Sequence, residues 1–279
     1  MDRILVIPDV HNRIQEVEKI LNRVEFDLLI SLGDWFDSIE DTPDMAERTA
    51  EYVLDLTRTL GNKFIWLLGN HDVPYVFPEL YIQHNCTGST VEKAERVGNV
   101  LNKRLNRDSV KLAYAVTDRS GLDIVFSHAG VSDYHFANPV SGTVSTKKIL
   151  EKCDHALMEM WLGRDHELLH AGRSRGGRLS VGGITWQDFY YDFDPLPEIS
   201  QVFGHSHTEE VAVIGKNWDR IWPSDNGDGS VEFNMLFSET ININLDTGLK
   251  HYMVIEDERI TIYETNEKRK RTRGERTKQ

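Results

Sequence analysis

Five short apolar runs each break off on residues that can bind a metal or move a proton, and this pattern restricts the possible folds more than any other feature of the chain. ILVIP leads into Asp9-Val10-His11, DLLISL into Gly33-Asp34-Trp35-Phe36-Asp37, and KFIWLL into Gly69-Asn70-His71-Asp72. DIVFS stops at His128, and SQVF at Gly204-His205-Ser206-His207. Apolar runs of this length read as buried strands. Open α/β sheets bind ligands beyond the carboxyl ends of their strands. A histidine at one strand end means little, but five such ends drawn from positions 9 to 207 describe a convergent site.

The spacing between the runs supports this. Ile14, Val17, Leu21 and Val24 recur at helical spacing, as do Met45, Tyr52, Val53, Leu56 and Leu60. With strands at 3–7, 27–32 and 63–68 the first third reads β-α-β-α-β, so its strands should pair in parallel. Residues 91–106 read as a helix, 110–117 and 122–127 as strands paired through Arg119-Ser120-Gly121, and 146–162 as a helix burying Ile149, Leu150, Cys153, Leu157, Met160 and Trp161. The Gly/Arg-rich stretch 172–183 is loop by composition. Strands are expected at 200–203, 209–214, 231–237, 239–245 and 249–255, with turns at Asp225-Asn226-Gly227 and Asp246-Thr247-Gly248. The fold class expected is α/β, with two mixed sheets packed face to face as a sandwich and flanked by helices. Residues 1–264 form one domain with a helical insert at about 73–108, and 265–279 form a basic tail.

Composition removes several classes of function. At 279 residues the chain can bury a sizeable core. No apolar stretch approaches the roughly 20 residues that span a bilayer, and the N-terminus does not read as a signal peptide. The net charge is -13; seven basic residues against Glu275 make 268–279 a +6 tail, which leaves -19 on residues 1–267. An acidic body disfavours nucleic acid except through the tail. Cys86 and Cys153 lack CxxC spacing and read as buried thiols in a reducing cytoplasm.

The donors at the strand ends restrict the metal. Imidazoles with carboxylates and no thiolates suit Mn, Fe, Zn, Co or Ni, and manganese is the expected ion. Asp9, His11, Asp34, Asn70, His128, His205 and His207 are too many for one tetrahedral ion, but if Asp34 bridges they provide four ligands for each of two divalent ions. Two ions about 3.5–4 Å apart can hold a hydroxide between them and clamp the oxygens of a displacement at phosphorus.

In order, DVH, GDWFD, GNHD, SHAG and GHSH resemble the signature of the calcineurin-like metallophosphoesterases, over about 200 of the 279 residues. The resemblance implies one ion held by Asp9, His11, Asp34 and His207 and another by Asp34, Asn70, His128 and His205. It implies His71 as proton donor to the leaving oxygen, with Asp37 paired to it. HAG after the fourth run and WQDF before the fifth are similar to the branch of phosphoprotein phosphatases and symmetrical diadenosine tetraphosphatases. That branch commonly places Arg after GDxxD, whereas Ser38-Ile39 follow Asp37 here and Arg13 is no obvious replacement. Arg173 and Arg175 are the best substitutes for gripping phosphate, because a guanidinium can fork onto two oxygens. The expected activity is phosphomonoester hydrolysis, with phosphoserine or phosphothreonine of proteins ahead of the alternative, hydrolysis of dinucleoside polyphosphates, nucleotides or RNA. The rival class is a metal-binding scaffold without catalysis.

Other residues carry plainer readings. Asp72 either orients its neighbours or caps the following turn, and Trp35 and Phe36 line a pocket or pack beneath the site. The insert is a lid or a connector. His166 and His170 stand four apart without HExxH context, and they, His84, His135, His155 and His251 read as ordinary surface or core histidines.

Overall fold

The computed structural model describes residues 3–38, 40–102, 104–117, 121–221, 224–225, 230–233, 240–257 and 259–266. The basic tail from 267 onward lies outside the described residues, as do 119–120, 226–227 and 234–237 of the expected turns and strand.

The strands are β1 (Ile4–Ile7), β2 (Leu28–Ser31), β3 (Phe64–Leu67), β4 (Val110–Lys111), β5 (Ala113–Thr117), β6 (Asp123–Ser127) and β7 (Ile199–Phe203). They continue as β8 (Ala212–Gly215), β9 (Ser224–Asp225), β10 (Val231–Phe233), β11 (Ile241–Asn244), β12 (His251–Glu256) and β13 (Arg259–Glu264). The α-helices are α1 (Ile14–Leu21), α2 (Pro43–Leu60), α3 (Val73–Val76), α4 (Tyr81–His84), α5 (Val91–Leu101), α6 (Asp133–Phe136) and α7 (Thr146–Trp161). One sheet runs β4-β3-β2-β1-β12-β13-β10-β9 and the other β5-β6-β7-β11-β8. As expected, β1, β2 and β3 are parallel. β1 also pairs antiparallel with β12, through Ile4 and Ile255.

Alternation of side chains along each apolar run explains the layers. Ile4, Val6, Ile30, Ile65 and Leu67 point into a core shared with Ile124, Phe126, Val202 and Ile243 of the second sheet. Leu5, Ile7, Leu29, Phe64 and Trp66 point the other way, into a core with Val17, Val53, Val97 and Ile149 of the helices. A run apolar at every position is therefore what a strand covered on both faces requires.

Three local expectations change. The run 110–117 does not form one strand: Val110–Lys111 joins β3 in parallel, while Ala113–Thr117 crosses to the second sheet and pairs antiparallel with β6. α2 packs Val53 and, partly buried, Tyr52, Leu56 and Leu60 against the core as expected, but it also buries Ala46, Thr49, Ala50, Leu54 and Thr57 and leaves Met45 exposed. On α7 Ile149, Cys153, Leu157 and Met160 are buried, whereas Leu150 and Trp161 are only partly covered. β13 was not expected, although Ile260 and Ile262 alternate with polar residues and are buried. Among the described residues, no helix is long and apolar enough to cross a membrane.

Candidate metal centre

β1, β2 and β3 of one sheet and β6 and β7 of the other end on the same side, and the residues that follow them converge. The backbone there is crowded. A Cβ on Gly69 would stand 2.0 Å from Asp34 Oδ1, and one on Gly204 would stand 2.1 Å from Asp9 Oδ1, so only glycine admits these carboxylates. His11, Asp34, Asp37 and His205 take positive φ, between 47° and 68°. Non-glycine residues in this region cost of order 1–3 kcal/mol each and cluster at functional sites.

Ligand atoms of Asp34, His128 and His205 lie within 4.8 Å of one another, as do those of Asp9, His11 and Asp34, so Asp34 belongs to both groups. His128 Nδ1 is 2.8 Å from the carbonyl oxygen of Leu32, which can only accept, and the ring proton therefore sits on Nδ1. Its Nε2 lone pair then faces Asn70 Oδ1 at 3.1 Å, His205 Nδ1 at 3.2 Å and Asp34 Oδ2 at 3.4 Å. His11 Nδ1 is likewise held by the carbonyl oxygens of Phe36 (3.0 Å) and Asp37 (2.6 Å), which frees Nε2 at 3.8 Å from Asp34. Converging lone pairs repel unless a cation joins them, and carbonyls that fix the tautomer are the usual support of ligating histidines. His205 Nε2 is buried without a hydrogen-bond partner. The donor set thus fits divalent ions.

Electrostatics agree. Burial pushes the imidazoles of His128 and His205 down, well down for His205, so both rings are neutral and able to ligate. Burial, with Asp246 and Asp34 nearby, pushes Asp9 well above the usual carboxylate range. Burial would raise Asp34 too, but His128, His71 and His11 outweigh it and hold Asp34 at about 2.

His71 sits beside these groups. Its backbone N–H donates to Asp34 Oδ1 (2.9 Å), and its Nδ1 is 3.0 Å from Asp37 Oδ2. Burial works against a charged ring, but Asp34 and Asp37 outweigh burial and raise the pKa. Asp37 is buried, accepts from Tyr75 Oη, and has Lys93 Nζ 3.3 Å away. Lys93 also donates to Asp41 and to the carbonyl oxygen of Gly88. The insert is thus more than a connector, because Tyr75 and Lys93 brace the partner of His71.

Asp72 orients its neighbours, and its side chain makes no cap. It accepts from the backbone N–H of Asp34, Trp35 and Gly69 and from the indole of Trp66, tying the GDWFD and GNHD turns together. Burial beside Asp34 pushes it up to about 7 against those donors. Trp35 and Phe36 are fully buried packing residues. Cys86 is buried, but it also holds a ligand candidate: Asn70 Nδ2 points at its sulfur (3.5 Å), and the thiol donates to the Asn70 carbonyl (3.1 Å).

Not every expected residue joins the groups. His207 is 61% exposed, with Nδ1 3.7 Å from Asp246 Oδ1. Arg175 reaches the edge of the centre, donating to Ser206 Oγ (2.8 Å) and pairing with Asp188 (2.6 Å), while Arg173 is exposed. Four of the glycines around them, Gly172, Gly177, Gly182 and Gly183, pack the chain against itself, and a Cβ on Gly177 would stand 1.9 Å from the Ala171 oxygen. Lys93, Tyr75 and Cys86 were missed because nothing local in the sequence separates a buried lysine or a bracing thiol from ordinary helix and core residues.

Among curated proteins no match was found. A cold-active protein-tyrosine phosphatase from a psychrophilic Shewanella is 15% identical, with TM-score 0.53 over 97% of this chain and 80% of that one, which shows a shared fold. A metallophosphoesterase from Sphaerobacter thermophilus is 17% identical (TM-score 0.49; 95% and 89% covered). A protein serine/threonine phosphatase from Saccharomyces cerevisiae is 14% identical (TM-score 0.45; 94% and 79% covered). Residues 2–209, which carry all five strand-end motifs, match the calcineurin-like phosphoesterases, and the chain belongs to that family.

Proposed function

We propose that the protein is a metal-dependent phosphatase that hydrolyses phosphomonoesters, with two divalent ions, manganese for preference, as cofactors. The observation that carries this reading is the contact of His71 Nδ1 with the buried Asp37 carboxylate, beside two groups of ligand atoms that share Asp34. A scaffold that only bound metal would have no use for an oriented acid. Asp9, His11, Asp34 and His207 are assigned to one ion and Asp34, Asn70, His128 and His205 to the other. Asp9 adjoins the turn that carries His207, since the N–H of His205 donates to it at 3.0 Å.

When bound, the ions supply positive charge to the phosphoryl oxygens and make water nucleophilic at neutral pH. Asp37 holds the proton on His71 Nδ1, which leaves Nε2 to give its proton to the departing oxygen as the P–O bond breaks. Tyr75 and Lys93 hold Asp37 in place. Arg175 lies at the rim, where one side of its guanidinium is already fixed by Asp188 and Ser206. Phosphoproteins and nucleotides are the substrate classes in question. Two free, buried thiols suit a cytoplasmic setting.

The test is release of p-nitrophenol from its phosphate with manganese. His71→Ala and Asp9→Ala should each lose about 10²–10⁴-fold in kcat. Metal-loaded wild type inert to monoesters, diesters and pyrophosphates would end the catalytic reading.

A further inference from the structure

A cavity of about 610 Å³ opens beside the metal centre. Although the chain carries -13, the described residues lining the cavity include Arg175 and Arg178 and not one carboxylate, and burial pushes His84, which also lines it, toward its neutral form. Asp165 and Asp188 stand behind the wall: Asp165 holds the Nε2 atoms of His84 and His170 at 2.8 Å, and Asp188 holds Arg175 Nε at 2.6 Å. They fix these side chains without entering the cavity.

The cavity adjoins the centre through three of its lining residues. Trp186 lines it, and its ring stands edge-on to His205 with centroids 5.6 Å apart. Arg175 lines it and donates to Ser206, the residue after His205. His84 lines it, and its carbonyl accepts from Cys86, whose sulfur meets the amide of Asn70. A phosphoester placed at the ligand groups would therefore have one of its oxygen substituents beside this cavity.

We propose that this cavity binds a departing group that is itself anionic, with Arg178 as the principal contact and Trp186 as an aromatic wall, so that the preferred substrate is a nucleoside bisphosphate rather than a phosphoprotein. This rests on the phosphatase reading above. A guanidinium recognises a second phosphate through paired N–H donors. A tryptophan beside it offers a surface to a planar base. The amides of Gln83 and Asn85 add polar groups to the same wall. A protein phosphoserine would bring neither a second phosphate nor a ring.

The experiment compares adenosine 3′,5′-bisphosphate, glucose 1,6-bisphosphate and p-nitrophenyl phosphate with the wild type, Arg178→Ala and Arg178→Lys. Arg178 is exposed, so its replacement leaves the core untouched. Arg178→Ala should raise KM about tenfold for both bisphosphates and change p-nitrophenyl phosphate by less than about twofold, with Arg178→Lys between. Trp186→Leu should penalise the adenosine compound and spare the sugar; an equal penalty on both removes the base from the proposal. An Arg178→Ala effect equal on all three substrates, or absent from all, overturns it. If no substrate turns over, the phosphatase reading fails separately. Calorimetric titration of wild type and Arg178→Ala with adenosine 3′,5′-bisphosphate then decides the cavity, with equal dissociation constants counting against it.

Discussion

Lys93 and Asp37 meet inside the protein, 3.3 Å apart and each side chain at most 4% exposed, on a carboxylate whose other oxygen holds His71. Lys93 also pairs with Asp41, so one ammonium is shared between two buried carboxylates. Removing one partner of a buried pair costs about 3–5 kcal/mol, because the remaining charge is left uncompensated. Lys93→Ala should lose stability of that order in urea unfolding, and a change under about 1 kcal/mol would show that the ammonium is not compensating Asp37.

The raised pKa of His71 has a definite sign in stability. In the metal-free protein the folded-state value exceeds the usual value of about 6.5, since Asp34 and Asp37 outweigh burial. The charged ring therefore stabilises the fold fully below the unfolded-state pKa, and this contribution fades as pH rises through the folded-state pKa. Proton NMR of the His71 ring should show the raised value in wild type and a lower one in Asp37→Asn. A titration at or below the unperturbed value in wild type contradicts the geometry.

Cys86 should matter to metal binding although it is no ligand. Its thiol faces both the amide and the carbonyl of Asn70, and loss of such support typically costs 10–100-fold in metal affinity. Cys86→Ala should weaken manganese binding by about tenfold in equilibrium dialysis while far-ultraviolet circular dichroism stays unchanged. An unaltered dissociation constant would mean that Asn70 is held by its backbone alone.

Asp72→Asn replaces an oxygen that accepts N–H groups by an NH₂ that cannot. Three backbone donors and the Trp66 indole converge on Asp72, so at least one loses its acceptor. Each unsatisfied buried donor costs about 1–3 kcal/mol. Thermal unfolding should register a loss in that range, and an unchanged melting temperature would argue that the two turns do not depend on this carboxylate.

Much of this centre could be read from the chain because strand geometry turns sequence position into spatial position. Asp9, Asp34, Asn70, His128 and His205 each follow a buried run at nearly the same offset, so parallel pairing brings Asp9, Asp34 and Asn70 to one end of the first sheet and His128 and His205 to one end of the second, and packing of the two sheets joins the sets. The support behind them could not be read that way. Lys93 follows a capped helix start, where a lysine ordinarily faces water, and only the fold places Asp37 and Asp41 over it. The small buried residues of α2 are hidden in the sequence because alanine and threonine give weak periodic signals, and the split of 110–117 is hidden because Leu112 gives no local sign that the chain changes sheets.

The pairing of β1 with β12 has a consequence for the order of assembly. Leu5 and Val6 face Val254 and Met253 across the sheet, so the strand that leads to Asp9 keeps a bare edge until the segment 249 residues beyond Leu5 has been made. A fragment stopping at residue 209 would hold every motif and lack that neighbour, along with β11 beside β7. On the ribosome β1 must therefore wait for β12, a long-range closure of the kind that slows folding and exposes open edges meanwhile.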